Sequence, residues 1–257
     1  MYILSINVGS LTTIESHAFR ECPGFTGLIL SIGLLEIGHS AFRACSGMIG
    51  SLTFPNTLNT INQDAFSGCG GFTGDLIIPN SVSVLAHGVF SSCNGFNGRL
   101  SLPTGITIIH SNTFIGCSGL TSQENVSIPP GVTSIGSHAF DGVKLTGTLS
   151  IPDTVEFIGA QAFQRCKWTG VLNLPPSITT IGANAFKENT GLSSITYYTH
   201  TIIESNTFIG ISITPIILSA MPTGQPSGQP TSQPTLDSSF KATMKRDIDE
   251  LASNIMA

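Results

Sequence analysis

Apolar positions in this chain recur on a fixed beat. Nine times an aliphatic residue is followed by a few turn-forming residues, a small residue and a phenylalanine: IESHAF, IGHSAF, INQDAF, LAHGVF, IHSNTF, IGSHAF, IGAQAF, IGANAF and IESNTF. The anchors are Phe19, Phe42, Phe66, Phe90, Phe114, Phe140, Phe163, Phe186 and Phe208, spaced 22 to 26 residues apart. Each unit is too small to bury its own apolar face, and stacking buries it. The pattern predicts a repeat solenoid over residues 1–220.

A second pattern lies inside each repeat. Short runs such as Leu52-Thr53-Phe54-Pro55, Leu76-Ile77-Ile78-Pro79, Leu100-Ser101-Leu102-Pro103 and Leu149-Ser150-Ile151-Pro152 alternate in-out-in, the period of a half-buried strand. Proline lacks the N–H that a ladder needs, so it marks the strand's end. Stacking places these strands side by side in one parallel sheet across all nine repeats, about 4.8 Å apart. A Gly-rich turn precedes each strand, and a short helical turn is expected through Ala-Phe-x-x-Cys. The fold class is therefore mainly parallel β, with irregular or short helical convex turns.

Composition narrows the function. Only 10% of residues are charged, and 10 Lys plus Arg against 15 Asp plus Glu give a net charge of −5. Such a surface does not neutralise phosphates, which argues against nucleic acid and anionic membranes as partners. No apolar run is long enough to insert in a membrane. The first residues lack the pattern of a signal peptide. Residues 221–236 are a Pro/Ser/Thr/Gly/Gln linker with proline every fourth position, a composition that favours extended polyproline II. Residues 237–257 carry Phe240, Met244, Ile248, Leu251 and Ile255 at helical spacing, an amphipathic helix suited to self-association or docking.

The runs VSIPPGVTSIGSHAFDG and LSIPDTVEFIGAQAFQRC resemble the BspA-type branch of leucine-rich repeats, in period, Pro, Ile-Gly, Ala-Phe and Cys alike. The resemblance covers about residues 3–220. It implies cell-surface adhesion and protein binding. The expected function is a non-enzymatic interaction module for a protein or surface glycoprotein ligand, without a cofactor. An intracellular scaffold is the alternative, and an enzyme ranks third. The compartment is the cell surface or outside the cell if the chain is a fragment lacking its signal peptide, and the cytoplasm otherwise.

Candidate chemistry is sparse. Cys22, Cys45, Cys69, Cys93, Cys117 and Cys166 each lie three residues after an anchor Phe, where other repeats carry Val143, Asn189 and Ile211. That slot reads as small and mostly apolar, so the cysteines read as packed free thiols; stacked Cα atoms about 5 Å apart also bring disulfides within range. The histidines sit at turn positions with differing offsets, which supplies no converging metal set. Trp168 falls in a column with Phe72, Phe96 and Leu192 and reads as core.

Outward strand positions are free of core duty. One row reads Ser5, Ile29, Thr53, Ile77, Ser101, Ser127, Ser150, Asn173 and Thr196; a flanking row includes Asp75, Arg99, Asn125 and Thr148. From these rows Asp75, Ile77, Arg99, Ser101, Asn125, Ser127, Thr148 and Ser150 are the expected ligand contacts on the concave sheet, with Asp75 and Arg99 paired across adjacent turns. Convex turns that vary between repeats are expected to offer no continuous rigid surface.

Overall fold

The computed structural model describes residues 5–121 and 126–219. They form a right-through stack of turns with only parallel strand pairs and, among the described residues, no helix. The linker 221–236 and the segment 237–257 lie outside the described residues. No helix among those described is long and apolar enough to cross a membrane.

The expected strands form, but not as one sheet. Ser5–Asn7 pairs with Gly27–Ile29, Leu76–Ile77 with Leu100–Ser101, and Val126–Ser127 with Leu149–Ser150. The last piece joins Gly170–Asn173, Leu192–Tyr198 and Ile216–Leu218. Leu52-Thr53-Phe54 makes no strand at all, and that turn keeps only an isolated bridge from Gly50 to Phe72. The inward slot that holds Ile78 or Ile128 elsewhere carries Phe54 here, whose ring meets Phe66 and Phe90 edge-on at 5.7 and 6.2 Å. The register also corrects the first outward row, because Asn7, not Ser5, pairs with Ile29.

A second ladder, at the Ile anchors, is more continuous than the first. It runs as a four-stranded sheet from Thr13–Ile14 to Val84–Leu85 and a five-stranded sheet from Ile108–Ile109 to Ile202–Ile203. Each strand has two residues, the outer one facing solvent and the inner Ile or Leu facing the core. The glycine that often follows serves close approach: a Cβ on Gly136 would lie 2.4 Å from the Ser111 amide nitrogen, and one on Gly182 2.4 Å from that of Ala160.

The expected helical turn is instead a ribbon of alternating backbone hand. In every repeat the residues two before and two after the anchor Phe have positive φ, as at Ser40 (53°), Ala44 (59°), Gln161 (59°) and Arg165 (57°). A left-handed residue turns its N–H along the stacking axis. The amides of Ser40, Phe42 and Ala44 thus donate to the carbonyls of Gln63, Ala65 and Ser67 in the next turn at 2.9, 2.8 and 2.7 Å. The same triplet recurs at all eight junctions between anchors, from His17, Phe19 and Glu21 to Asn184, Phe186 and Glu188. This ribbon alone is unbroken along the stack, so the convex turns do form a continuous rigid surface, contrary to the expectation above.

Inside the ribbon the anchor rings stack face to face, with adjacent centroids 5.2 to 5.9 Å apart and planes within 19°. Such pairs contribute about 0.5–1.5 kcal/mol each beyond the burial itself. The cysteine column lies beside them, and its slot is not simply apolar. Cys45, Cys69, Cys93, Cys117 and Cys166 donate S–H to the carbonyls of Phe19, Phe42, Phe66, Phe90 and Phe140 at 2.8 to 3.2 Å. Asn189 does the same with its amide, at 2.7 Å from the Phe163 carbonyl oxygen. The slot wants a compact donor, which Val143 fills without donating. Burial pushes the Cys117 thiol up to about 12 and raises Cys45, Cys69, Cys93 and Cys166 as well, so these groups keep the proton they donate. All six cysteines are free.

Two stability outcomes follow from this arrangement. Phe114 is stacked on both sides, so Phe114→Ala should cost about 3–5 kcal/mol in denaturant titrations, whereas Phe208→Ala at the half-buried end of the column should cost less; equal losses would contradict a stacked column. Glycine normally weakens a packed element, yet Ala44→Gly should stabilise by about 1 kcal/mol by removing the left-handed penalty on a Cβ, while Ala41→Gly, in the same turn but at negative φ, should destabilise. If both changes destabilise alike, the left-handed positions are not strained.

Candidate recognition face

The two strand ladders divide the labour along each turn. In the first ladder the inward residues, such as Leu76, Val126, Leu149 and Leu172, are buried, and their alternation leaves the neighbouring residues outward. The expected contact residues fall into two groups on this outward face. Leu76 and Leu100 are register partners, as are Ile77 and Ser101, so Asp75, Ile77, Arg99 and Ser101 form one cluster. The pairing expected there is present. Arg99 Nη2 lies 3.6 Å from Asp75 Oδ2, and the Arg99 amide donates to Asp75 Oδ1 at 2.8 Å. Gly98 makes this possible, because a Cβ there would stand 2.1 Å from Asp75 Oδ1. Arg99 is largely exposed and Asp75 partly so, which holds the ion pair to about 0–1 kcal/mol. Ile77 beside them is half-exposed.

Ser127 and Ser150 are register partners in the second group, with Thr148 on the flanking row. Asn125, and with it the glycosylation sequon, lies outside the described residues. Thr148 and Ser150 open into a depression of about 560 Å³ that extends over the last four strands. Its lining adds Asp153, Val171, Asn173, Pro176, Thr196, Tyr198 and Leu218. Sequence reading placed Asn173 and Thr196 in the outward row, read Asp153 as a surface carboxylate with no part in the face, and did not reach Tyr198 or Leu218. A signal was available: the run Ser194-Ile195-Thr196-Tyr197-Tyr198 has no proline where the six repeats before it do, so the strand continues to Tyr198, and Leu192–Tyr198 is the longest among the described residues.

This end of the face is held in place by its own contacts. The Thr196 hydroxyl donates to Asn173 Oδ1 at 2.8 Å, fixing the amide. His200 Nε2 donates to the Pro176 carbonyl at 2.7 Å, and the His200 ring lies 5.9 Å from that of Tyr198. Tyr197, pointing the opposite way, stacks on Phe208 in the core at 5.9 Å.

The ribbon edge carries charge and imidazole instead. Buried Asp141 accepts from Arg165 Nε and Nη2 at 3.1 and 2.8 Å and meets His138 Nδ1 at 3.1 Å. These bonds and the Asp141 charge raise the Arg165 guanidinium above its ordinary value. The histidines at differing offsets are not all isolated, as the sequence suggests. The ribbon bonds residue i to residue i−1 of the next turn, and this stagger brings His17 to His39 and His87 to His110, with ring centroids 4.9 and 4.5 Å apart. Burial and the neighbouring His87 lower His110. Among the described residues no three His, Cys, Asp or Glu side chains converge as metal ligands. The second ladder, unforeseen from sequence, presents a row that includes Val84, Ile108, Phe157 and Ile202, all 40% exposed or more.

Comparison with known proteins places this architecture. No curated protein matches the chain. Among solved structures, a leucine-rich repeat protein from Bacteroides ovatus superposes with a TM-score of 0.62 at 20% identity, covering 84% of this chain and 63% of that one. The chain therefore spans less than two thirds of that protein's length. The T. pallidum leucine rich repeat protein superposes with a TM-score of 0.55 at 26% identity, over 64% of this chain and 77% of that one. The profile of the BspA type leucine rich repeat region matches in six copies over residues 12–124 and 119–223, and the chain belongs to that family.

Proposed function

We propose that this solenoid is a non-enzymatic recognition module for surface adhesion, and that the outward face of the first strand ladder is where it meets a protein or surface glycoprotein. The reading rests on one observation. Along Asp75, Arg99, Ser127, Ser150, Asn173 and Thr196 the backbone is held by the stack, while the side chains serve neither the core nor the ribbon. Groups held on a fixed backbone lose little entropy on binding, which favours a large flat partner. The Asp75–Arg99 pair orients such a partner more than it adds affinity.

A second reading, an intracellular scaffold, is favoured by the free cysteines, a state typical of reducing compartments. A labelled solenoid should bind intact eukaryotic cells or immobilised mucin. Arg99→Glu and Ser127→Arg should reduce that binding at least tenfold without lowering the melting temperature, while Gln161→Glu and Asn184→Glu on the ribbon should leave it intact. Loss of binding with the ribbon pair and not with the ladder pair would move the site to the other face.

A further inference from the structure

The depression at the last four strands has a chemistry of its own. Its polar groups are the hydroxyls of Thr148, Ser150 and Thr196, the Asn173 amide and the Asp153 carboxylate, and its apolar surface includes the Tyr198 ring. Asp153 is the one charged side chain in the lining, so anions are repelled. Asn173 has its oxygen engaged by Thr196, which leaves the Nδ2 hydrogens as donors, and Asp153 is an exposed acceptor that needs no proton of its own. Hydroxyl, amide and carboxylate beside one aromatic ring match a ligand rich in hydroxyls with apolar C–H faces between them.

Spacing supplies the second argument. Asn173 and Thr196 are register partners on adjacent parallel strands, which repeat every ~4.8 Å, and Ser150 stands on the strand of the preceding turn. That repeat is close to the length of one pyranose unit in an extended glycan. A peptide chain has a shorter residue repeat, and laid across the strands it would fall out of step with the rows.

We infer that the depression lined by Ser150, Asn173, Thr196 and Tyr198 binds an uncharged linear oligosaccharide along the solenoid axis, about one sugar unit per strand. This rests on the recognition-face reading above and names its ligand class. The glycan is either a free polysaccharide or the carbohydrate of a glycoprotein; both present the same hydroxyl chemistry. Asn173 and Asp153 hydrogen-bond the ring hydroxyls, and Tyr198 stacks on a sugar face, as its amphipathic ring allows. The site is open to solvent, which suits weak binding per unit and gain by length.

Isothermal titration of the full chain with cello-, manno- and chito-oligosaccharides of one to six units tests this. For at least one series the affinity should rise at least tenfold from one unit to four and then level off, and heparin fragments should not bind. Asn173→Ala and Tyr198→Ala should each weaken the four-unit ligand at least tenfold with unchanged melting temperature, and Tyr198→Phe should retain it. Binding that is absent, independent of length, or indifferent to these changes overturns the inference, as does an unglycosylated peptide that displaces the oligosaccharide more tightly than the glycan binds. Mucin before and after glycan removal separates the sources. If deglycosylated mucin still binds and no oligosaccharide does, the glycan site falls and the recognition face stands; if oligosaccharides bind and mucin does not, the ligand is a free polysaccharide and the adhesion reading falls.

Discussion

Three backbone hydrogen bonds at each junction of the ribbon, all donated in the same direction along the stack, are what the rest of the molecule depends on. They require a left-handed residue on either side of every anchor Phe, thirteen of which are not glycine. Each such residue costs about 1–2 kcal/mol of local strain, so the ribbon persists only because the stacked rings and the paired amides over-determine it. Once it forms, the turn-to-turn spacing is set, the phenylalanines are in ring contact, and the carbonyls of Phe19, Phe42, Phe66, Phe90, Phe140 and Phe163 each face a donor from the cysteine slot of the following turn. The carbonyl, the ring and the thiol are one device repeated along the stack.

That division explains why the strand ladders tolerate interruption. The first ladder is in four pieces and loses a strand at Phe54, and the second has a gap between Val84–Leu85 and Ile108–Ile109. Neither break reaches the ribbon, where Gly88, Phe90 and Ser92 still donate to Ser111, Thr113 and Ile115. Outward strand residues thereby stand outside the core and the ribbon, and their bonds, such as Asp75 to the Arg99 amide and Thr196 to Asn173, are local. Ser, Thr, Asn, Ile, Asp and Arg all occur among them, a variety that a recognition surface uses.

Much of this was legible in the residues. The Phe period fixed the number of turns and the inward columns, and equal offsets placed Asp75 beside Arg99. The second ladder was not legible, because two residues are too few to show alternation and the Ile anchor reads equally well as an isolated core contact. The ribbon left a partial trace: the position two before Phe holds Asn, Asp, His, Ser or Gly in eight repeats, types that tolerate positive φ, but Gln161, Glu21 and Arg165 carry no such mark. Val143 made the cysteine slot look apolar, although Asn189 in the same slot pointed to a donor. The groove escaped notice because its key residues, Asp153 and Tyr198, lie beyond the three strand positions that the repeat defines.

Native-state hydrogen exchange at the junction between Val84–Leu85 and Ile108–Ile109 tests the ribbon as spine most directly. There the second ladder is open while the ribbon is closed, so the two cannot protect each other's amides by shared pairing. The account predicts that the Gly88, Phe90 and Ser92 amides exchange as slowly as Ser40, Phe42 and Ala44, while Thr107 and His110 exchange much faster than Thr133 and Gly136, their counterparts in the intact ladder. Ribbon amides that exchange quickly at this junction, with ladder amides slow throughout, would show that the sheets hold the stack and would contradict the account.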